Sequence, residues 1–366
     1  MLLMGPVLAV PVPAALADAL RSVKVTSTSG QAGGFQLTFA VSARSVVRRT
    51  LLPAGFLDPG IRVVLVAVAG GTPSVLSDGI ITQQELAPSA EPGASLLTVT
   101  GEDLTLLMDV RHERTCHPAM PHQARVLAIC AKYAAYGIVP LAVPPVLADV
   151  PDPVRHVPLQ AGTDLAYLKS LAAEVGYVFH LEPGPLPGSS LAYWGPQVRA
   201  GPVQPALTLG AGAAATVESL DFTYDGLSRT QYTVTLTEPV TKTGIDLPVP
   251  DVGLLHPPLA ARPAVTLRHE PLPDIGDRSV TEALLLGLGR TAAGTDAVRG
   301  TGTLDVLRYG HVLRARRLVG VRGAGTAHDG LWYVAGVTHD ITRGAYRQQF
   351  TLTRDGLGSL TPVVTP

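Results

Sequence analysis

Five side chains of types that commonly bind metals lie within nineteen residues of one another: His112, Cys116, His117, His122 and Cys130. A zinc site needs four nitrogen or sulfur ligands in a tetrahedron, usually paired at spacings of about two to four residues. The spacing here is irregular, and Cys130 falls on the apolar face of a predicted helix. We interpret the group as a buried thiol and surface histidines in a loop, and a metal-stabilised binding module stays open as an alternative.

The stretch 287–292 resembles a dinucleotide-binding fingerprint, because Gly287, Gly289 and Ala292 have the right spacing. That fingerprint functions directly after a strand, where the glycines let a pyrophosphate approach the start of a helix. Here the stretch lies inside or at the end of a predicted helix, and no strand-helix-strand unit surrounds it. We interpret it as a helix terminus.

Two histidines are followed by acidic residues, at His269–Glu270 and His339–Asp340, and Ser279 is nearby in the sequence. A hydrolase triad needs a nucleophile on a tight turn such as Gly-x-Ser-x-Gly, which the sequence lacks. Nothing singles out a pair of carboxylates for glycoside cleavage. We interpret His339 as a structural histidine near the middle of a strand.

The basic side chains cluster at one place, Arg314, Arg316 and Arg317. If this segment is a strand, Arg314 and Arg316 share a face and Arg317 points away. Such a cluster is either a solvated strand face or a contact with a partner or a lumen. The sequence therefore predicts no catalytic, cofactor-binding or metal-binding residue, and no enzyme.

Composition narrows the class of protein. The chain has 366 residues, a net charge of −1 and only 16% charged residues, against about 25% in ordinary soluble domains. A neutral balance argues against nucleic-acid binding, which relies on a basic surface. So little charge indicates large buried contacts with other proteins. Prolines interrupt both apolar stretches, residues 1–20 and 134–150, so we expect no membrane insertion.

Strands dominate the first hundred residues. Apolar and polar residues alternate over 35–41, after another strand at 22–29, and a continuous apolar run covers 61–69. Several short strands at this spacing are typical of a sandwich or a barrel. We place the first β domain at 1–101.

Helices enter after Gly101. The sequence predicts a short helix near 104–110, a second over 121–136 and a third over 164–175 with Thr163 as its cap. A hairpin of 177–181 with 191–195 completes a small α+β domain at 102–198.

The β pattern returns after about residue 205, and we place the second β domain at 199–366. It contains a proline-rich strap at 247–273, interpreted as irregular, and a capping box of Ser279 and Glu282 before a helix. Three further strands are predicted at 311–321, 331–341 and 346–354. The predicted fold is mainly β, with an α+β insert between two β-barrel or sandwich domains.

Three sets of residues, taken in order, resemble the phage late control protein D family of contractile-tail baseplate hubs, which also forms the N-terminal hub of VgrG spikes. The first set ends a strand and starts a helix, the second surrounds the third helix, and the third closes the chain. They are Gly101, Asp103, Leu104, Leu107, Tyr136 and Gly137; Gln160, Thr163, Asp164, Tyr167, Leu168, Gly176 and Tyr177; and Trp332, Tyr333, Val334, Val337, His339, Tyr346, Phe350, Gly356, Leu357 and Gly358.

The resemblance implies a structural, non-enzymatic protein without a cofactor. Family hubs are trimers whose two barrel domains are tube-like, so three chains give a ring of six pseudo-equivalent barrels. Such a ring joins a sixfold inner tube to a threefold central spike. VgrG proteins continue into a further barrel and a needle, whereas this sequence ends after the second β domain. The resemblance therefore implies a hub whose spike is a separate chain.

The implied partners are two further copies of the chain, the spike, and an inner tube or tube-initiator protein, together with baseplate wedge proteins; a tape-measure protein is a further candidate. The barrel strands would form the ring, and the insert would contact the spike or a neighbouring subunit. The expected location is the baseplate of a phage, tailocin or contractile injection particle, assembled in the bacterial cytoplasm. A spike-associated glycan or peptidoglycan hydrolase is the main alternative.

Overall fold

Strands form most of the structure, a computed structural model that describes residues 1–89, 91, 95–145, 157–210, 212, 215–237, 244–249, 257–272, 286–291, 294 and 296–360. The predicted fold class is confirmed: large antiparallel sheets dominate, and the helices are few and concentrated in a small insert. None of the described helices has the length and apolar character needed to cross a bilayer.

In the first part of the chain, the residues described form seven strands and one helix, plus a single π-helical turn. They are β1 (Leu2–Gly5), β2 (Val10–Pro11), α1 (Ala14–Ala19), β3 (Leu20–Thr28), β4 (Gly34–Ala40), the π turn (Val47–Leu51), β5 (Arg62–Ala69), β6 (Thr72–Ala87) and β7 (Leu96–Asp103). The strands predicted near 22–29, 35–41 and 61–69 are confirmed.

The described residues of the insert form three helices and five strands: α2 (Leu106–Asp109), β8 (His112–Cys116), α3 (His122–Ala131), β9 (Ile138–Ala142), β10 (Leu159–Thr163), α4 (Asp164–Glu174), β11 (Val178–Pro183) and β12 (Ser190–Gly195). The α4 helix and the β11–β12 hairpin are confirmed. The second predicted helix is shorter than expected, because after Ala131 the chain tightens into a 3₁₀ turn and then turns at Gly137, whose φ is +73°.

Eleven strands and two helical segments lie within the described residues of the last part. They are β13 (Val203–Thr208), β14 (Val217–Tyr224), β15 (Thr230–Thr237), β16 (Gly244–Pro248), β17 (Ala260–Pro263), β18 (Arg268–Pro271), α5 (described over 286–291), β19 (Val298–Asp305), α6 (Val306–Tyr309), β20 (Leu318–Arg322), β21 (Gly330–Thr342), β22 (Ala345–Arg354) and β23 (Gly356–Ser359).

Two expectations for this part need correction. The strap at 247–273 is not wholly irregular, because β17 pairs with β23 and β18 pairs with β15. The strand predicted at 311–321 begins only at Leu318, because Arg316 has a left-handed backbone with φ of +62° that interrupts extended structure. Ser279 and Glu282 lie outside the described residues.

One large sheet joins the two ends of the chain. Its order is β14-β19-β22-β21-β3-β4-β7-β6-β5-β1-β2, and β20 and β13 extend from the first half of β21. The second half of β21 pairs antiparallel with β3, from Gly336 opposite Thr28 to Thr342 opposite Ser22. Strands from the first and last parts thus form one continuous surface. The domain boundaries at 101 and 198 stay predictions.

Both ends of the chain also share one hydrophobic core. Phe39 and Leu37 of β4 belong to the same buried cluster as Trp332 of β21 and Leu352 of β22, and all four are fully buried. The insert has a second core, formed around Leu168 and other side chains of its helices and strands, and Ile80 of β6 is part of it. The insert therefore meets the sheet through an apolar side chain, and polar contacts add to this attachment.

A buried ion pair supplies such contacts. Arg62 of β5 donates from Nε and Nη2 to the Asp78 carboxylate of β6, at 2.7 and 2.6 Å, and both side chains are inaccessible to solvent. The same guanidinium donates to the insert carbonyls of Tyr136 at 2.8 Å and Gly188 at 3.0 Å. This pair is therefore a polar joint between the sheet and the insert.

We predict that Asp78→Ala lowers the free energy of unfolding by about 3–5 kcal/mol, because it leaves the Arg62 charge buried and unpaired. Urea unfolding measures the change. The control is Glu218→Gln, which breaks the exposed Arg347–Glu218 contact and should cost less than about 1 kcal/mol. Similar small losses in both variants would contradict a joint at Arg62.

Candidate interaction surface

A polar face extends across the junction between the two ends of the chain. Residues directly opposite each other in antiparallel strands point to the same face. One such row crosses β14, β19, β22, β21 and β3, and consists of Ser219, Thr303, Gln349, Thr338 and Thr26. Every member is polar, although the row combines residues from both ends of the chain.

A second row continues the polar face in the other half of the sheet. This row crosses β21, β3, β4, β7 and β6. Its members, in that order, are Asp340, Lys24, Gln36, Thr100 and Gln83. The alternate positions point into the core. This division into an apolar and a polar face is typical of an antiparallel sheet with one side in contact with water.

The part of this face over β14, β19, β22 and β21 forms a groove of about 720 Å³. Hydroxyl groups bond across its strands, Ser219 to Thr303 at 2.9 Å and Thr26 to Thr338 at 3.4 Å. The charged residues lining it are Asp221 and Arg299. The arrangement offers a hydrated wall of short hydroxyl and amide side chains.

The polar face ends at two strand edges. On one side, β14 pairs with β19 alone. On the other side, the pairing of β5 with β6 ends at Ile80. Residues 82–87 of β6 therefore pair with β7 alone, and they are exposed. Within the described residues, both edges leave backbone N–H and C=O groups without a strand partner. Such edges are templates for pairing with another chain.

The structure does not bring the five metal-binding candidates together. His117 is buried, lies 3.4 Å from the Gln160 amide oxygen and stacks on Tyr167, while His122 bonds Glu174 at 2.8 Å. Among the described residues, no group of three histidine, cysteine or acidic side chains could hold a metal ion.

The two cysteines lie in different surroundings. Cys130 is buried in the insert core, and burial followed by the nearby Asp164 charge raises the pKa of its thiol to about 12. Cys116 is exposed. Contrary to the loop interpretation, His112 and Cys116 are the ends of strand β8, which pairs with β10.

The glycines of the fingerprint-like stretch serve close packing. A side chain at Gly289 would place its Cβ 2.2 Å from the Cα of Gly176, and one at Gly287 would lie 2.7 Å from a methyl group of Val249. Residues 286–291 are helical, which agrees with a helix and not with a phosphate-binding loop. Ala292 lies outside the described residues.

His339 is a structural histidine, as the sequence predicts. It is 5% exposed, and its Nδ1 lies 2.8 Å from the Tyr346 hydroxyl and 3.2 Å from the Gln348 amide nitrogen. Burial, followed by the charge of Arg314, lowers the pKa of its ring to about 4. His269 and Glu270 lie in β18 and are exposed, and Ser279 is outside the described residues.

The arginine cluster does not form a strand face. Arg314 donates to Ser74 at 3.2 Å, and Arg316 donates to the Thr28 carbonyl at 2.9 Å. Arg317 lies 3.6 Å from Glu182 of the insert. These contacts link three parts of the chain, so the segment is an internal junction. The left-handed turn at Arg316 cannot be predicted from the sequence, because arginine rarely adopts that conformation.

The residues that carry the family resemblance stabilise the fold. Gly101 leaves room for the Phe35 ring, since a Cβ there would lie 2.2 Å from it. Asp103 accepts hydrogen bonds from the backbone N–H groups of Gly33, at 2.5 Å, and Thr105, at 2.9 Å. Thr163 caps α4 as predicted, by accepting a hydrogen bond from a backbone N–H of its first turn.

Solved structures of tail proteins are similar over nearly the whole chain. The tail protein from Neisseria meningitidis MC58 has 15% sequence identity and a TM-score of 0.60, with 93% of each chain covered. The 43 kDa tail protein of prophage MuSo2 from Shewanella oneidensis has 15% identity and a TM-score of 0.61, with 92% of this chain and 94% of that chain covered. The chain has the fold of these tail proteins.

A secretion-system protein shares the fold as well. The E. coli c3393 protein, a component of the type VI secretion system with structural similarity to the bacteriophage T4 tail proteins gp27 and gp5, has 13% identity and a TM-score of 0.57. The comparison covers 95% of this chain and 77% of that chain. No protein-family model and no curated protein matches the sequence. The similarity is therefore one of fold.

Substitutions of the adjacent residues Gln348 and Gln349 test which face of the sheet is buried and which is exposed. Gln348 is fully buried and exchanges hydrogen bonds with the backbone N–H and C=O of Leu313, so Gln348→Ala should lower the free energy of unfolding by about 2–4 kcal/mol. Gln349 is exposed on the polar face, and Gln349→Ala should cost less than about 0.5 kcal/mol. Equal costs in urea unfolding would contradict the assignment of faces.

His339 predicts a pH dependence of stability. Its pKa is lower in the folded chain, about 4, than the ordinary value of 6.5, so the unfolded chain binds the extra proton as pH falls between these values. Stability from this group is complete above pH 6.5 and decreases by up to about 1.4 kcal/mol per pH unit below it. If the free energy of unfolding is measured from pH 7 to 4, it should depend less steeply on pH in His339→Gln than in the wild type. An equal dependence on pH would show that His339 takes up its proton while the chain is folded.

Proposed function

We propose that the chain is the structural baseplate hub of a contractile tail. Three copies would form a ring of six pseudo-equivalent barrels that joins a sixfold inner tube to a threefold central spike. The observation that carries this proposal is the continuous sheet with one polar face that ends at two unpaired strand edges. The resemblance to the late control protein D family, read from the sequence, points to the same role.

The solved structures of the same fold support a tail function. Two of them are tail proteins, one of which comes from a prophage, and the third belongs to a secretion system and is similar to bacteriophage tail proteins. These particles are different, yet the fold is shared across at least 92% of this chain in each comparison. A role common to both kinds of particle is a structural one in the tail or spike assembly, and we assign that role to this chain.

The strand order supports the symmetry of the ring. Within the sheet, β14-β19-β22-β21 come from the last part of the chain and β3-β4-β7-β6 come from the first part. Each chain therefore supplies two successive groups of four antiparallel strands. Three chains supply six such groups, which suits contact with a threefold spike on one side and a sixfold tube on the other.

The strand edges support the closure of the ring. The β14 edge and the 82–87 edge lie at opposite ends of the polar face and differ in sequence, so their pairing is head to tail. Head-to-tail contacts that close after three copies would cover both of these edges in every chain. The polar faces would then form a common wall around the ring axis, and the small charged fraction of the chain fits the large contact area of such an assembly.

The role we propose is non-enzymatic. The partners would be a central spike protein, an inner tube or tube-initiator protein, baseplate wedge proteins and a tape-measure protein. The insert would contact the spike or the neighbouring subunit, within the baseplate of a phage, tailocin or injection particle. The geometry of the described residues adds no support to a glycan hydrolase, since His339 bonds core side chains.

Proline substitutions on the 82–87 edge test the ring. Gln83 and Gln84 are adjacent in β6, so the N–H of one of them points away from β7. We predict that one of the two variants Gln83→Pro and Gln84→Pro abolishes the trimer, whether the trimer forms alone or with a candidate spike protein. The proline in that variant removes a backbone N–H from the contact between copies. Solution mass by analytical ultracentrifugation measures the outcome.

The matched controls are Gln83→Ala and Gln84→Ala, which remove the same side chains but keep both N–H groups, and these variants should remain trimeric. A wild-type chain that stays monomeric with every candidate spike protein would contradict the ring. Trimers that persist in both proline variants would show that this edge is not the contact.

A further inference from the structure

The β8–β10 ribbon of the insert has one unpaired side. β8 pairs antiparallel with β10, from His112 opposite Thr163 to Cys116 opposite Leu159, and no other described strand joins the two. A sheet of only two strands has little stability of its own. No described side chain of either strand belongs to the apolar core of the insert. A third strand beside β8 would therefore stabilise the ribbon.

The hydrogen bonds of the ribbon identify the free backbone groups of β8. The N–H of His117 donates to the carbonyl of Pro158, which continues the register of the two strands. Because bonded and non-bonded pairs alternate in an antiparallel ladder, the N–H and C=O groups of His112, Arg114 and Cys116 point away from β10. No described residue bonds these groups, and all three residues are exposed. Such a row of unpaired groups is a template for another strand.

The charged side chains of β8 determine which strand is favoured. Glu113 points toward the insert, where it pairs with Lys132 at 2.5 Å. Arg114 lies on the opposite, exposed face and forms no ion pair with a described residue. The Arg111 side chain, just before β8, is 82% exposed and lies 3.9 Å from Glu113. Since opposite charges on neighbouring strands attract and like charges repel, these arginines favour an acidic strand and disfavour a basic one.

An apolar contact is available on the same exposed face. Cys116 and Leu159 lie opposite each other, and both are exposed, Leu159 by 43%. An apolar side chain opposite Cys116 in an added strand would extend this pair into a row across three strands. The free side of β8 therefore fits a segment that is apolar at one end and acidic toward the other.

We propose that the free side of β8 binds an extended acidic segment of another protein, which pairs antiparallel with β8 as a third strand. The backbone of Arg114 would exchange two hydrogen bonds with the residue opposite it, and acidic side chains would face Arg114 and Arg111. The inference rests on the contact between the insert and a partner that we propose above, and it defines the chemistry of that partner. Peptide binding by the single chain tests it separately from the ring.

Fluorescence polarisation with a labelled peptide tests the proposal. The peptide Thr-Val-Thr-Glu-Thr-Glu-Thr places its valine opposite Cys116 and its glutamates opposite Arg114 and His112, and its counterpart carries lysine in place of both glutamates. We expect saturable binding of the acidic peptide and about tenfold weaker binding of the lysine peptide. Arg114→Gln should weaken binding of the acidic peptide about threefold, whereas Arg21→Gln at an exposed strand position should leave it unchanged.

Backbone methylation separates strand pairing from attraction between charges alone. In the antiparallel arrangement, the N–H groups of the valine and of the glutamates face β8, whereas those of the threonines point away. Methylation of both glutamate nitrogens should therefore abolish binding. The matched control, methylation of two threonine nitrogens, keeps the same charges and should leave binding nearly unchanged.

Several results would overturn the proposal. Equal binding of the acidic and lysine peptides would exclude selection by the arginines, and equal effects of the two methylation patterns would exclude strand pairing. A monomeric wild-type chain that does not bind the acidic peptide would overturn the proposal whether or not the ring forms. Dimers of the chain that the acidic peptide dissociates would show that a second copy, and not another protein, occupies the free side of β8.

Discussion

The pairing of β3 with β21 is the constraint on which the rest of the structure depends. It joins residues more than three hundred positions apart, as the Thr26–Thr338 contact illustrates. Because side chains alternate strictly along a strand, this register places the apolar residues of both ends in one core and the polar residues on one face. A shift of one residue would bury the threonines and expose Val25 and Val337, so the polar face and the core are specified together.

The insert is attached to this sheet by polar contacts as well as by Ile80 of β6, which is buried in the insert core. Arg62 bonds insert carbonyls from one side, and Arg317 reaches Glu182 from the other. A joint of this kind demands particular geometry, because a buried charge is tolerated only with its hydrogen bonds complete. It therefore fixes the position of the insert relative to the sheet, which a hub would need in order to present the insert to its neighbours in a defined place.

Local sequence patterns predicted much of the fold, and the failures have identifiable causes. Alternation predicted the strands of the first part, and the Thr163 cap with its apolar stripe predicted α4, because these signals act within a few residues. The register between β3 and β21 could not be predicted, since it depends on contacts between distant segments. The left-handed turn at Arg316 was missed because such a conformation is set by the surrounding structure. The polar face could not be predicted either, because it forms only when strands from both ends of the chain lie side by side.

We propose that the β14 edge and the 82–87 edge meet between copies of the chain, and crosslinking tests this contact most directly. Glu85 and Asp221 are on the polar face at opposite edges, so both would be replaced by cysteine in a Cys116→Ser background. With a short bifunctional thiol reagent, we predict covalent trimers from the double variant and only monomers from either single variant. Covalent dimers from a single variant would show that like edges meet, and the absence of crosslinks in an assembled trimer would show that the ring forms through other surfaces.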